Sequence, residues 1–192
     1  LPSAQYMFSP NNGAVTVATN SDASTTTGRT ATITLTTAAA NVTYVDAGMY
    51  KLINITGHVW NDANGLTDLQ INKTGAQAIP NSLNIYLVDV NTNQIVQAEG
   101  INPDGTYSFL DVDVNHSYKI VLSTVVAFPG QTSPIPFLPS GWQRGGENLG
   151  AGQLSGSDCV PTGKLFIVTE PFDTIEAHFG TRVTGGVCRV SY

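Results

Sequence analysis

Basic side chains are scarce in this chain. Eight Lys and Arg stand against fourteen Asp and Glu, for a formal net charge of −6, and only 11% of residues carry any charge. No basic stripe is left to neutralise phosphates, which argues against nucleic acid as a partner. Cysteine is nearly absent too: Cys159 and Cys188 are the only pair, without zinc-ligand or CxxC spacing. No apolar run approaches the ~18 residues of a membrane span, and helix-type periodicity is almost missing. No signal peptide is visible and Leu1 falls mid-pattern, so the sequence reads as a processed chain or a piece of a longer one. What remains is rich in Thr, Asn, Gly, Val and Ser, with 41% hydrophobic residues over 192 positions, enough for a sizeable core. A surface of hydroxyls and amides suits a secreted, protease-exposed β protein.

The chain repeats itself. Leu1-Pro2-Ser3 returns as Leu138-Pro139-Ser140, Gly13-Ala14 as Gly150-Ala151, and Ser21-Asp22 as Ser157-Asp158. Thr27-Gly28-Arg29 returns as Thr162-Gly163-Lys164, and the runs closing at Gly48 and Gly180 are each followed by a further match. Collinear blocks of this kind indicate a tandem array. The expected organisation is the C-terminal half of one module over 1–48, a whole module over 49–181, and over 182–192 the first strand of a following module or an exchanged strand.

Alternating strands are predicted at 30–35, 41–45, 52–60, 83–88, 94–98, 106–109, 118–122 and 165–168, split by Asn, Asp and Gly turns such as Asn102-Pro103-Asp104-Gly105. Short strands at this spacing predict an all-β, antiparallel β-sandwich. Val59, Ile85, Leu87, Tyr107, Phe109, Ile120, Leu122 and Ile167 are its expected core, because they alternate within their strands. Between Val125 and Thr162 the pattern lapses into a Pro- and Gly-rich loop carrying Phe137, Leu138 and Trp142. Loops this long often carry function. Phe137 and Trp142 read either as a ligand-binding ledge or as a cap over an open edge.

The segment from Ile55 to Asp68, ITGHVWNDANGLTD, resembles the opening of the B-type repeats of serine-aspartate-repeat surface proteins. Those belong to the wider Cna-B-like, prealbumin-like (transthyretin-like) sandwiches of bacterial adhesins. Asp104-Gly105-Thr106-Tyr107-Ser108-Phe109 is similar to a hairpin of that family, and Val45 to Tyr50 resembles its inter-repeat junction. The segments from Leu138 to Trp142 and Gly146 to Gly150 look most like versions in large secreted proteins of Bacteroidetes. The resemblance implies tandem sandwiches on a cell surface. Some Cna-B modules carry a Lys–Asn isopeptide bond; Lys51 could supply the Lys, but the closing strand, Asp173 to Gly180, contains no Asn, so no such bond is expected.

Three sites stand out. Asp62, Asn64 and Asp68 alternate around Gly65 and offer the oxygen ligands a Ca²⁺ ion takes, with Asp104 expected at the same end of the sandwich; a solvated Asx turn is the other reading. Outside the cytosol, Cys159 and Cys188 can form a disulfide stiffening the module junction, or else stay as buried thiols. Phe137 and Trp142 are the candidate ledge for an extracellular glycan or another surface ligand. Catalysis has little support, since His58, His116 and His178 have no nucleophile motif beside them, no Ser sits in a Gly-x-Ser-x-Gly elbow, and Glu147 and Glu170 differ in setting. The expected function is therefore a non-enzymatic adhesive or structural repeat of a long extracellular bacterial surface protein or fibre, in contact with neighbouring modules or adjacent subunits. The alternatives are a carbohydrate-binding module using Phe137 and Trp142, and a filament subunit exchanging its last strand, Val183 to Tyr192.

Overall fold

The described residues form nine strands: β1 (Tyr6–Phe8), β2 (Met49–Asn61), β3 (Asn84–Asp89), β4 (Ile95–Gly100), β5 (Thr106–Asp113), β6 (Tyr118–Ser123), β7 (Trp142–Leu149), β8 (Lys164–Ile167) and β9 (Thr174–Val183). The computed structural model describes residues 5–10, 21–34, 36, 45–65, 68, 70–150, 162–167 and 174–184, and none of these is helical. The chain forms two compact units, Leu1–Leu52 and Ile53–Tyr192.

In the first unit β1 pairs antiparallel with the start of β2, matching Tyr6 with Lys51, Met7 with Tyr50 and Phe8 with Met49. The Leu52 N–H donates to the Gln5 carbonyl at 2.7 Å, and the Ser9 N–H to the Gly48 carbonyl at 2.9 Å. Gly28 has φ +66° and lies so close to the Phe8 ring that an added Cβ would be 2.2 Å from Cζ. Only glycine fits such a combination of left-handed backbone and close approach. The strand expected at 30–35 does not form over 30–34. Its side chains are small and Ile33 is 46% exposed, so there is little apolar surface to bury by pairing. Of the strand expected at 41–45, residues 41–44 lie outside the described residues and Val45 is not in a strand.

The second unit is a sandwich of two sheets. One has the order β5-β2-β9-β7 and the other β4-β3-β6-β8. All eight expected core residues are buried in one cluster between the sheets, joined by Ile53, Ile55, Val112, Tyr118, Ile175, Ala177 and Phe179. Tyr107 crosses beneath β2, where its hydroxyl donates to the Ala177 carbonyl at 2.7 Å. Gly57 makes room for it, since an added Cβ would lie 1.7 Å from that carbonyl oxygen.

Three departures from the expected pattern matter. First, β2 and β9 pair in parallel, Asn54 with Thr174 through Asn61 with Thr181, beside the antiparallel pair of β9 and β7. Parallel partners cannot be joined by a tight hairpin, and here most of the unit intervenes. Second, β7 arises inside the stretch expected to be loop. Its sequence, WQRGGENL, has no apolar alternation to reveal it. The register shifts between Arg144 and Gly146, and a Cβ on Gly145 would be 3.3 Å from the Gly180 backbone. The strand is held by close backbone approach to β9 rather than by apolar side chains. Third, the start of the Pro-rich loop covers the outer face of the second sheet. Tyr86, Val88, Ile95 and Val121 are buried there with Ala98 and Ala127 against them. The Tyr86 hydroxyl donates to the Val125 carbonyl and accepts from the Ala127 N–H at 3.2 Å.

Candidate functional site

The outer face of the first sheet gathers the most chemistry. Along β2, Ile53, Ile55 and Val59 turn into the core, so Thr56, His58 and Trp60 turn outward. Along β9, Ile175, Ala177 and Phe179 face in, leaving Glu176, His178 and Gly180 outward. The parallel register sets Thr56 beside Glu176, His58 beside His178, and Trp60 beside Gly180. Asn148 of β7 lies opposite His178 on the other side. The His58 and Trp60 rings stack with centroids 4.4 Å apart and planes within 5°, and the His58 and His178 rings stand 5.7 Å apart.

His178 is only 5% exposed. Its Nδ1 accepts the His58 backbone N–H at 3.2 Å, while Nε2 is 3.4 Å from Glu176 Oε2. The ring is therefore the neutral tautomer with its proton on Nε2. Burial pushes its pKa below the ordinary histidine value; Glu176 opposes that shift and His58 adds to it. Beside the ring stack lies an open cavity of about 320 Å³, lined by Thr56, His58, Asn102, Thr106, Ser108 and Glu176 among others. Asp104 sits on the hairpin turn nearby, where the Thr106 hydroxyl (2.7 Å) and N–H (3.0 Å) hold its carboxyl below the usual range.

Asp62 is fully buried. Its N–H donates to the Thr181 carbonyl at 2.7 Å and its Oδ1 accepts the Thr74 hydroxyl at 3.2 Å. That same hydroxyl accepts the Asn64 N–H at 3.1 Å. Burial raises the Asp68 pKa, but hydrogen bonds from Asn72, Asn64 and the Gln70 N–H outweigh it and hold the carboxyl low. Gly65, at φ +57°, rests on the buried Arg182 guanidinium, where an added Cβ would be 2.1 Å from Nη1. The Asp104 turn lies at the same end as Asp62: the Val59 N–H donates to the Gly105 carbonyl at 2.8 Å, and Trp60, Asn61 and Asp104 border one small cavity. Among the described residues, however, no three His, Cys, Asp or Glu side chains are grouped to hold a metal ion. Asp68 accepts the Asn72 side-chain amide and Asp104 the Thr106 hydroxyl, each at 2.7 Å.

Phe137 and Trp142 are anchored in different places. Phe137 is 59% exposed and bridges Ser123 at the end of β6, whereas half-buried Trp142 opens β7 opposite Val183. Leu138 between them packs against the core. Cys159 and Cys188 lie outside the described residues. At the far end of the sandwich Asp89 Oδ1 accepts the Asn91 and Thr92 N–H groups at 2.8 Å, and Oδ2 lies 2.8 Å from His116 Nδ1.

The ring stack is absent from the sequence-predicted sites. Its signal was available in the outward alternation of Thr56, His58 and Trp60 and of Glu176 and His178. The parallel register that brings the two strands together was not. No family model matches this chain, and no curated protein matches it either.

Proposed function

We propose that this chain is a non-enzymatic structural or adhesive segment of a long extracellular bacterial protein, built from tandem β-sandwich modules of the Cna-B-like type. One observation carries the reading: the two units repeat the same local architecture. In each, a strand that follows a Leu-Pro-Ser block pairs antiparallel with the residues just after a closing glycine. β1 pairs Tyr6 to Phe8 with Lys51 to Met49, and the start of β7 pairs Trp142 to Arg144 with Val183 to Thr181; counted from the Leu-Pro-Ser block and the closing glycine, the two registers differ by one residue. The repeated glycines agree as well. Gly28 and Gly163 have φ +66° and +70°, and each lies against a side chain of the strand that follows the Leu-Pro-Ser block, Phe8 in one unit and Arg144 in the other. A shared antiparallel pairing and a shared left-handed glycine support descent from one module better than matched tripeptides alone.

Such a module works by presenting a stable surface, not by turning over a substrate. The hydroxyl- and amide-rich composition and the buried all-β core fit that role. Antibody labelling and protease shaving of intact cells test it. Surface accessibility without permeabilisation, with no turnover on a hydrolase panel, is the expected result. Confinement to the cytosol, or any specific turnover, overturns it. Glycan binding lost in Trp142→Ala, with the fold intact, would instead favour a carbohydrate-binding module.

A further inference from the structure

We infer that His178 is an acid-released latch between the two central strands of the first sheet. A main-chain donor of β2, the His58 N–H, is satisfied by a side chain of β9, the Nδ1 of His178, at 3.2 Å. That bond exists only while Nδ1 keeps its lone pair. A proton taken from solvent at Nδ1 turns the acceptor into a donor facing another donor, so the ring must leave the His58 N–H.

The surroundings make the neutral form the one the fold holds. His178 is 5% exposed, and the positively charged ring would have little access to water. From β2 the group facing it is His58, itself stacked on Trp60. On its own strand Glu176 lies within 3.4 Å and partly compensates a charge, but that carboxylate side chain is 43% exposed and solvent-screened. β7 places Asn148 opposite, while its acid, Glu147, is turned to the Gly163 N–H. β5 contributes the Thr106 and Ser108 hydroxyls to the adjoining cavity. Asp104 acts on His58 rather than on His178. Among the described residues, Glu176 is thus the carboxylate poised to steady a charged His178. Release frees the ring toward the cavity and removes a side-chain tie between β2 and β9 at the centre of their parallel pair.

The sign follows from linkage. The folded-state pKa lies below the ordinary 6.5, so the unfolded chain binds the proton more readily. The latch is fully stabilising above pH 6.5 and is lost as pH falls below it.

The test combines ¹⁵N NMR of the imidazoles with denaturant unfolding of the whole chain between pH 7.5 and 5. His178 should appear as the Nε2–H tautomer and titrate below 6.5. Over the window below 6.5 the folding constant of the wild type should drop by up to about tenfold per pH unit through this one proton. His178→Asn, whose Oδ1 can accept the same N–H without titrating, should flatten that slope. If this variant does not fold, the NMR titration of the wild type decides alone. An Nδ1–H tautomer, a His178 midpoint at or above 6.5, or a folded His178→Asn variant with an undiminished slope would overturn the latch.

Discussion

The Tyr107 hydroxyl, buried with its ring, donates a 2.7 Å hydrogen bond to the Ala177 carbonyl directly beneath Gly57. It ties β5 to β9 across the underside of β2, and the Tyr107 ring meets Phe109 edge-on at 5.7 Å. Tyr107→Phe, which strands a buried carbonyl, should cost about 1–2 kcal/mol. Tyr107→Ala should cost on the order of 3 kcal/mol or more by adding a cavity. Urea unfolding at neutral pH measures both, and equal losses in the two variants would show that the hydroxyl bond, not the ring packing, dominates.

Gly28 and Gly163 should respond alike. Each is left-handed, and a Cβ would reach 2.2 Å from Phe8 in one case and 2.6 Å from Arg144 in the other. Gly163→Ala should lower stability by about 1–3 kcal/mol from backbone strain and displacement of Arg144. Gly28→Ala should loosen the first unit, read as faster proteolysis near Phe8. Neutral outcomes at both positions would remove the strained turn from the likeness between the units.

Asp89 sets an acid limit at the other end of the sandwich. The Thr92 N–H leads the groups that hold its carboxyl below the ordinary 3.8, with His116 and Asn91 helping and burial opposing. Because the folded-state pKa is depressed, the stabilisation is present above 3.8 and is lost as pH falls through the lower folded value. Asp89→Ala should cost about 2 kcal/mol at pH 7, where the Asn91 and Thr92 N–H groups lose their acceptor. Between pH 4.5 and 2 the variant should fall less steeply than the wild type. Parallel curves would show that Asp89 takes no part in the acid transition.

Asp62 accepts from Thr74, Asp68 accepts from Asn72, and Gly65 lies against Arg182. If Asp62, Asn64 and Asp68 hold a Ca²⁺ ion, EDTA should lower the melting temperature by several degrees and excess Ca²⁺ should restore it, since a ligand stabilises by binding the folded state. Asp62→Ala should abolish that dependence, and a melting curve indifferent to EDTA would contradict the site.

The core of the second unit was legible because Val59, Ile85, Leu87, Tyr107, Phe109, Ile120, Leu122 and Ile167 sit at alternating positions of well-patterned strands. β7 was not, because Gly145 and Gly146 carry no side chain to betray a buried face and the strand is specified by contact with Gly180. The run at 30–34 failed the other way: it alternates, but with three threonines, one alanine and an exposed Ile33 it has little apolar surface to repay pairing. The His58–His178 pairing joins residues 120 positions apart through a parallel register. Local pattern carries no information on such a register, so the histidines could be placed on strands but not beside one another.

The antiparallel pairing found in each of the two units is tested most directly by cross-strand NOEs in the isotope-labelled chain. Cross-strand backbone contacts joining Met7 with Tyr50 and Gln143 with Arg182, each flanked by the neighbouring matches, are the predicted result. No pairing of Tyr6–Phe8 with Met49–Lys51, or a parallel one, would contradict the tandem module.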